Sequence, residues 1–435
     1  MNHTIRIEKI IHGGRGLARL DDGFVVLTPF VLPGEKVLIR EQKKLRGHIE
    51  AETVDILEPS PDRVDPPCPY YLRCGGCDLQ HMSPAAQHTA KENIVRESLT
   101  RAGIDAGKFA FHGIIPSPRS FNYRYRIRLK ISPDGAIGFH RAGSNSIVDI
   151  ENCLVATDIL NRSLDELRRS GLAEAAAPAL KEIELLHSPA DDRVYCVLHT
   201  SGDISGSKKI IDYCIPKLKT IAAVTIINDG KSGLPVPGGD ECVLRQDFDG
   251  VVGERPYSLR WTPGCFSQVN AGQNARLVEL ACRMAGEVRG RETLDLFCGM
   301  GNFSIPLTLR GGLVTGIERH KQCIEQARIN CSGAGLKNVR FIDQDVEKWI
   351  RRAVKQSARY EIILLDPPRK GMGRSVTLLA DLSPSRIIYI SCDPATLARD
   401  IALLADCGYR LSSITPVDMF PQTHHIESVA MLEKN

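Results

Sequence analysis

No stretch of about 18 apolar residues free of charges occurs, so no membrane-spanning helix is expected. The first residues, MNHTIRIEKIIHGG, lack an apolar run behind their charges and do not read as a secretory signal. Internal repeats and low-complexity tracts are missing, which argues against solenoid and disordered architectures. Charge of one sign is not in excess: 56 Lys and Arg against 52 Asp and Glu leave +4. Composition alone therefore announces no nucleic-acid partner, and the distribution of charge matters more. The 435 residues, 43% hydrophobic and 25% charged, exceed one simple core and are expected to form two or three domains of an ordinary soluble protein. A cytoplasmic location is the expectation. In that reducing compartment the 14 cysteines are unlikely to build a disulfide framework. A cluster among them reads as metal-binding or catalytic.

What is present divides into three. Residues 1–58 carry short apolar runs at 5–7, 24–27 and 37–39, separated by turns at Gly13-Gly14, Gly16, Gly23 and Pro33-Gly34. This predicts a small β-barrel. The pattern IHGGRGLARLDDGFVVLTPFVLPGEKV resembles the TRAM domain, an OB-like barrel appended to RNA-modifying enzymes. A proline-rich break, EPSPDRVDPPCPYYLRCGGC, opens a central segment, 59–260. It begins with a helix at about 84–103 and continues as a mixed, strand-rich region. From 261 to 435, strands ETLDLF, LVTGIE, NVRFIDQDV, YEIILLD and RIIYIS alternate with helical stretches. Such alternation predicts a parallel sheet with helices on both faces.

The segment TLDLFCGMGNFS, 293–304, is a strand running into a glycine loop and then a helix. Gly299 and Gly301 remove side chains where backbone must approach a ligand closely. The next strand ends at Glu318, an acid suited to ribose hydroxyls, and the third leads to Asp345, placed toward an adenine. A GxG after a strand is weak by itself, since any tight strand-to-helix turn supplies one. GMGNF also lacks the third glycine of the dinucleotide fingerprint. The loop, Glu318 and Asp345 in successive units together resemble the class I, Rossmann-like methyltransferase fold.

Two further strands end in Asp366-Pro-Pro-Arg-Lys-Gly371 and Ser391-Cys392-Asp393-Pro394, and the C-terminus holds His425-Ile-Glu427. DPPRKG, SCDP and HxE resemble the marks of the RNA 5-methyluridine methyltransferase family, and the likeness extends over the whole chain. It implies that S-adenosylmethionine is the methyl donor, with Cys392 as nucleophile and Glu427 as base. Carbon 5 of uracil is a poor nucleophile. Thiolate addition at carbon 6 makes an enolate whose carbon 5 takes the methyl group, and a base then removes the carbon-5 proton so that the thiol leaves. A helix opening after Cys392 would favour its thiolate. The resemblance also implies cofactor contacts from Gln268, Phe297, Asn302, Glu318, Asp345 and Asp366. DPPR departs from the DPPY-like motif of amino-methylating enzymes, and no PCQ motif of DNA cytosine C5 enzymes is present.

Cys68, Cys74 and Cys77 form C-x5-C-x2-C with Gly75-Gly76 inside, a spacing that can wrap one metal centre. The resemblance implies Cys153 as fourth ligand and a [4Fe-4S] cluster; zinc is the alternative, although no second CxxC follows. In the run 119–130, Arg124, Arg126, Arg128 and Lys130 alternate with Tyr125, Ile127 and Leu129. On a strand they would form one cationic face for phosphates, and Phe121 and Tyr123 would stack on unpaired bases. The expected substrate is an unstacked uracil, in 23S ribosomal RNA. The barrel and cysteines favour this over the transfer-RNA branch, which stands second. A non-enzymatic iron–sulfur RNA-binding protein is the reading from another class; intact Cys392, Glu427 and DPPR argue against it. Nothing demands a partner subunit, so a monomer is expected.

Overall fold

The computed structural model describes residues 1–435 apart from 177–178, 203–216, 230–241 and 252–254. Parts of the strand-rich stretch expected before 250 thus lie outside the described residues. The first 58 residues form a six-stranded sheet in the order Asn2–Arg6, Lys36–Lys44, Ile49–Glu58, Val25–Thr28, Gly16–Arg19, Lys9–Ile10. Alternate residues such as Val37 and Ile39 point inward, onto a core shared with Ile5, Val26 and Ile49. No described helix is long and apolar enough to cross a membrane.

A second six-stranded sheet follows in the order Ile147–Asp149, Ile137–His140, Arg126–Ile131, Leu180–Ser188, Arg193–Thr200, Ile221–Asn228. Helix Asp158–Ser170 covers it through Leu160, Leu164 and Leu167, spaced for one helical face. Gly171, with φ of 70°, ends that helix in the left-handed conformation.

The third sheet has eight strands: Val339–Asp343, Leu313–Glu318, Glu292–Leu296, Ile362–Leu365, Arg386–Ser391, Glu427–Lys434, Tyr409–Val417 and Ala110–Phe111. The first five run parallel, as the alternating pattern predicts, and Glu427–Lys434 is antiparallel to its neighbours on both sides. The sequence reverses direction at Glu292–Leu296, so a crevice opens beyond the strands' carboxyl ends.

The packing does not follow boundaries at 58 and 260. Helix Pro84–Arg101 lies on helix Pro394–Ala405, and its Ile94, Val95 and Leu99 enter the core of the third sheet. Ala110–Phe111 extends that sheet. The hairpin Leu244–Phe248 with Tyr257–Trp261 buries Phe248, Tyr257 and Trp261 in a separate core, against Leu364, Ile388 and Ile390 of the same sheet. These early segments belong physically to the C-terminal unit because its helices and sheet supply the apolar partners they need. Ile10 and Leu32 of the first 58 residues join the core around Ile94 as well.

Candidate active site

The donor-side pocket is built from backbone. Strand Glu292–Leu296 ends at Phe297, whose φ of 63° is unusual for a residue with a side chain. Gly299 (φ 53°) and Gly301 (φ 93°) complete the loop into helix Ser304–Leu309. A Cβ on Gly301 would lie 3.1 Å from Ile305 Cδ1, so the turn has little room for a side chain there. Glu318 ends the next strand; one of its oxygens accepts from His320 N at 2.8 Å, leaving the other for a ligand. Asp345 caps helix Val346–Lys355, accepting from Lys348 N at 3.1 Å, so a structural duty accompanies the adenine-side role expected for it. Asn302 pairs with Asn274 at 3.0 Å. Gln268 lies half-buried two residues before Asn270, the N-cap of helix Ala271–Ala285.

Strand register brings together the residues expected to carry the chemistry. Ser391 pairs with Ser428 across the antiparallel ladder, so the next residues outward are Cys392 and Glu427. Opposed Cα atoms in such a ladder stand about 4.5–5.5 Å apart. On the other side of Arg386–Ser391, strand Ile362–Leu365 runs parallel and ends at Asp366. One nucleophile and two carboxyls therefore share the rim of three adjacent strands.

Their ionisation follows from that crowding. Burial pushes the Asp366 carboxyl up to about 7. Burial, then the Asp366 charge, raises Glu427 well above the usual carboxylate range, against the pull of Arg369. The Cys392 thiol is pushed up to about 11 by burial, with Glu427 and Asp366 adding to it. Helix Pro394–Ala405 does open after Cys392, with Asp393 as its N-cap. The expectation that it would favour the thiolate is corrected by this: desolvation and two nearby carboxyls outweigh the helix end in the ligand-free chain.

Sequence reading missed the groups around the mouth. His12, from the first sheet's turn, sits 3.5 Å from Asp393 and edge-on to His424 at 6.0 Å. Asp78 accepts from the His424 backbone N at 2.8 Å and also pairs with its ring. Lys91, fully buried, donates to Asp418 at 2.6 Å and to the Phe420 carbonyl at 3.1 Å. These pairs join residues up to 412 positions apart, and no local pattern marks them.

The cationic strand differs from its expectation. Arg126–Ile131 alternates faces as predicted, but Arg126 pairs with Glu184, Arg128 with Glu184 at 3.2 Å and Glu182 at 3.4 Å, and Lys130 with Glu182. The neighbouring strand thus sets two carboxylates against the three cations of the stripe through cross-strand pairs. Tyr123 is buried, and its hydroxyl donates to the Pro421 carbonyl at 2.9 Å, so it is not free to stack on a base. Arg124 precedes the strand and lies elsewhere, beside the cysteines.

Cys68, Cys74, Cys77 and Cys153 line one cavity of about 80 Å³, together with Gln80 and Arg124. Among the described residues no three His, Cys, Asp or Glu side chains converge closely enough to hold a single metal ion. A zinc ion with bonds of about 2.3 Å to sulfur requires that convergence. The thiols are nevertheless near enough to disfavour one another's ionisation: Cys74 is raised by burial and by Cys153 and Cys68.

The sheet order, glycine loop and strand-end acids define a class I methyltransferase. A family model described as tRNA (Uracil-5-)-methyltransferase matches residues 240–435. The 23S rRNA (uracil(1939)-C(5))-methyltransferase RlmD of Shewanella sediminis is 33% identical, with 99% of this chain and 95% of that protein aligned. The protein of the same description from Shewanella sp. strain MR-4 is 34% identical over the same shares. The chain belongs to the RNA uracil-5 methyltransferase family. Among solved structures, the Pyrococcus abyssi tRNA (uracil-54, C5)-methyltransferase in complex with S-adenosyl-L-homocysteine matches with a TM-score of 0.75 and 26% identity, covering 99% of this chain and 100% of that one. The match removes one expected discriminator: a transfer-RNA enzyme spans the whole length, so the N-terminal region and cysteine segment do not by themselves mark the ribosomal branch.

Proposed function

We propose that this chain methylates carbon 5 of a uridine in 23S ribosomal RNA, using S-adenosylmethionine. The carrying observation is the register that sets Cys392, Asp366 and Glu427 on one rim. Gln268, Phe297, Gly299, Asn302, Glu318, Asp345 and Asp366 hold the donor, which when bound supplies a methyl group on a sulfonium. The Cys392 sulfur forms a bond to uracil carbon 6, and the ring electrons move onto carbon 5 and the carbonyl. After carbon 5 has taken the methyl, Glu427 accepts its proton and the carbon–sulfur bond breaks, restoring the ring and releasing Cys392 as the thiolate. Burial raises the Glu427 carboxyl well above the usual carboxylate range in the ligand-free chain; a nearby sulfonium favours its carboxylate and the Cys392 thiolate by opposite charge. The RNA is read as an unstacked uridine delivered at the mouth.

Identity of 33–34% with two ribosomal-RNA enzymes supports that target. The Pyrococcus abyssi likeness favours the second reading, a transfer-RNA uracil-5 methyltransferase. Mapping 5-methyluridine in both RNAs with and without the enzyme decides between them. The residues at 1–58 are read as a TRAM-like barrel that helps grip RNA. The four cysteines are read as ligands of a [4Fe-4S] cluster, whose thiolates stand farther apart than those around one ion, in keeping with a thiol-lined cavity lacking a single-ion site. A ribosomal-RNA substrate supports a cytoplasmic location, and the chain is read as a monomer.

The chemistry is tested with RNA carrying 5-fluorouracil. Fluorine does not leave as a cation, so the enzyme is expected to stay covalently joined to the RNA in a band that survives denaturing electrophoresis. An adduct that persists in Cys392→Ala removes Cys392 as nucleophile. Glu427→Gln is expected to form the adduct on normal RNA and release it at least about 100-fold more slowly, the scale of a lost general base; wild-type turnover there assigns the base elsewhere.

A further inference from the structure

The cavity lined by Cys68, Cys74, Cys77 and Cys153 also takes the side chain of Arg124. Its Nε is out of contact with solvent and has no hydrogen-bond partner. No described carboxylate forms an ion pair with it, unlike Arg126 and Arg128 a few residues later. A guanidinium stays charged in any protein environment, and a charge removed from water needs a counter-charge. The chain holds Arg124 firmly in place. Its N–H donates to the Val155 carbonyl at 2.8 Å, and its own carbonyl accepts from Thr157 N at 3.0 Å, tying it to the segment just after Cys153.

The other face of the guanidinium looks toward the active site. It lies over the Phe420 ring, 5.9 Å from the centroid. Phe420 meets His425 edge-on at 5.6 Å, two residues before Glu427. The adjacent Tyr123 hydroxyl holds the Pro421 carbonyl. Arg124 and its neighbour thus touch the cysteine cavity on one side and the loop that ends in Glu427 on the other.

We propose that Arg124 is the counter-charge of the cysteine-held cluster and, through Phe420, a positioning residue for the Glu427 loop. This rests on the iron–sulfur reading of the four cysteines. Four thiolates outweigh the positive charge of a [4Fe-4S] core, so the assembled group is an anion. It supplies a counter-charge for a guanidinium whose Nε is shut from solvent. A cation beside the cluster stabilises its more negative, reduced state, so it raises the reduction potential.

The test uses the full-length protein purified without oxygen, as wild type, Arg124→Gln and Arg124→Lys. Iron and sulfide are assayed, the cluster is titrated with a redox mediator series, and methylation of ribosomal RNA is measured. The expected result is a more negative midpoint potential in Arg124→Gln, with kcat reduced more than tenfold, and recovery of most of the potential in Arg124→Lys. Loss of cluster from Arg124→Gln with retention in Arg124→Lys supports the same conclusion. A loaded Arg124→Gln with unchanged potential overturns it, as does failure of both variants to hold the cluster. Wild-type protein without iron and sulfide refutes the cluster reading itself, a separate outcome.

Discussion

Asp366 carries an electrostatic cost that the site imposes on the fold. Free aspartate ionises near 3.9, but burial keeps the proton on Asp366 to about 7. Between those values the folded chain holds a proton that the unfolded chain has lost. Stability contributed by this group is therefore full below about 4, falls as pH rises to about 7, and stays lower above that. Asp366→Asn removes the ionisation. The variant is expected to be more stable than wild type by about 1–3 kcal/mol at pH 8, the direct gain being offset in part by other groups. The advantage should narrow at pH 5, while cofactor affinity falls. Urea unfolding of the ligand-free protein at the two pH values checks this; a pH-independent difference would show that Asp366 is not the titrating group. Cys392 shows the same principle from the other side. Its motif points to the role proposed for it, but its raised pKa comes first from burial and then from Glu427, which only strand pairing brings alongside.

At the scale of elements, helix Pro84–Arg101 clamps the catalytic loop. Gln87 donates to Gln422 Oε1 at 3.0 Å and accepts from Gln422 N at 3.0 Å. One turn later, Lys91 reaches Asp418 and the Phe420 carbonyl. Lys91→Met leaves Asp418 buried with only His88, at 3.2 Å, beside it. Breaking such a pair costs about 3–5 kcal/mol. The double variant Lys91→Met, Asp418→Leu removes both charges and is expected to regain most of that stability without regaining wild-type turnover. Additive losses in a double-mutant cycle would mean the two residues do not interact. The alternating strands and the helix itself were legible because periodicity is local. The clamp was not: a lysine four positions after a glutamine reads as a solvated helix face until residues 418–422 cover it. The cationic strand failed for a related reason. Its alternation was legible over residues 126–130, though not at Arg124, but the glutamates that pair with it lie on a strand more than fifty residues on.

Across the whole molecule, the N-terminal sheet is docked on the catalytic mouth. The turn His12-Gly13-Gly14 lies against Asp78, Asp393 and His424, and a motif search of the C-terminal half gives no hint of this. Gly14 is the point of closest approach. Its φ is +74°, and a Cβ there would stand 3.0 Å from Asp78 Oδ2 and 3.2 Å from His424 Cβ. Gly13 has a similar backbone, φ +95°, yet a Cβ there would meet nothing within 4 Å. The pair separates backbone strain from crowding. Gly13→Ala is expected to lose only the strain cost, about 1–2 kcal/mol, with turnover near wild type once folded. Gly14→Val carries strain and also pushes the turn off Asp78 and His424. It is expected to lower kcat/KM for RNA at least tenfold while S-adenosylmethionine binding, measured by calorimetry, stays unchanged, because the glycine loop and Glu318 lie in the other half of the crevice. Equal effects of the two substitutions on RNA turnover would mean that the first sheet's contact with the mouth does not govern catalysis.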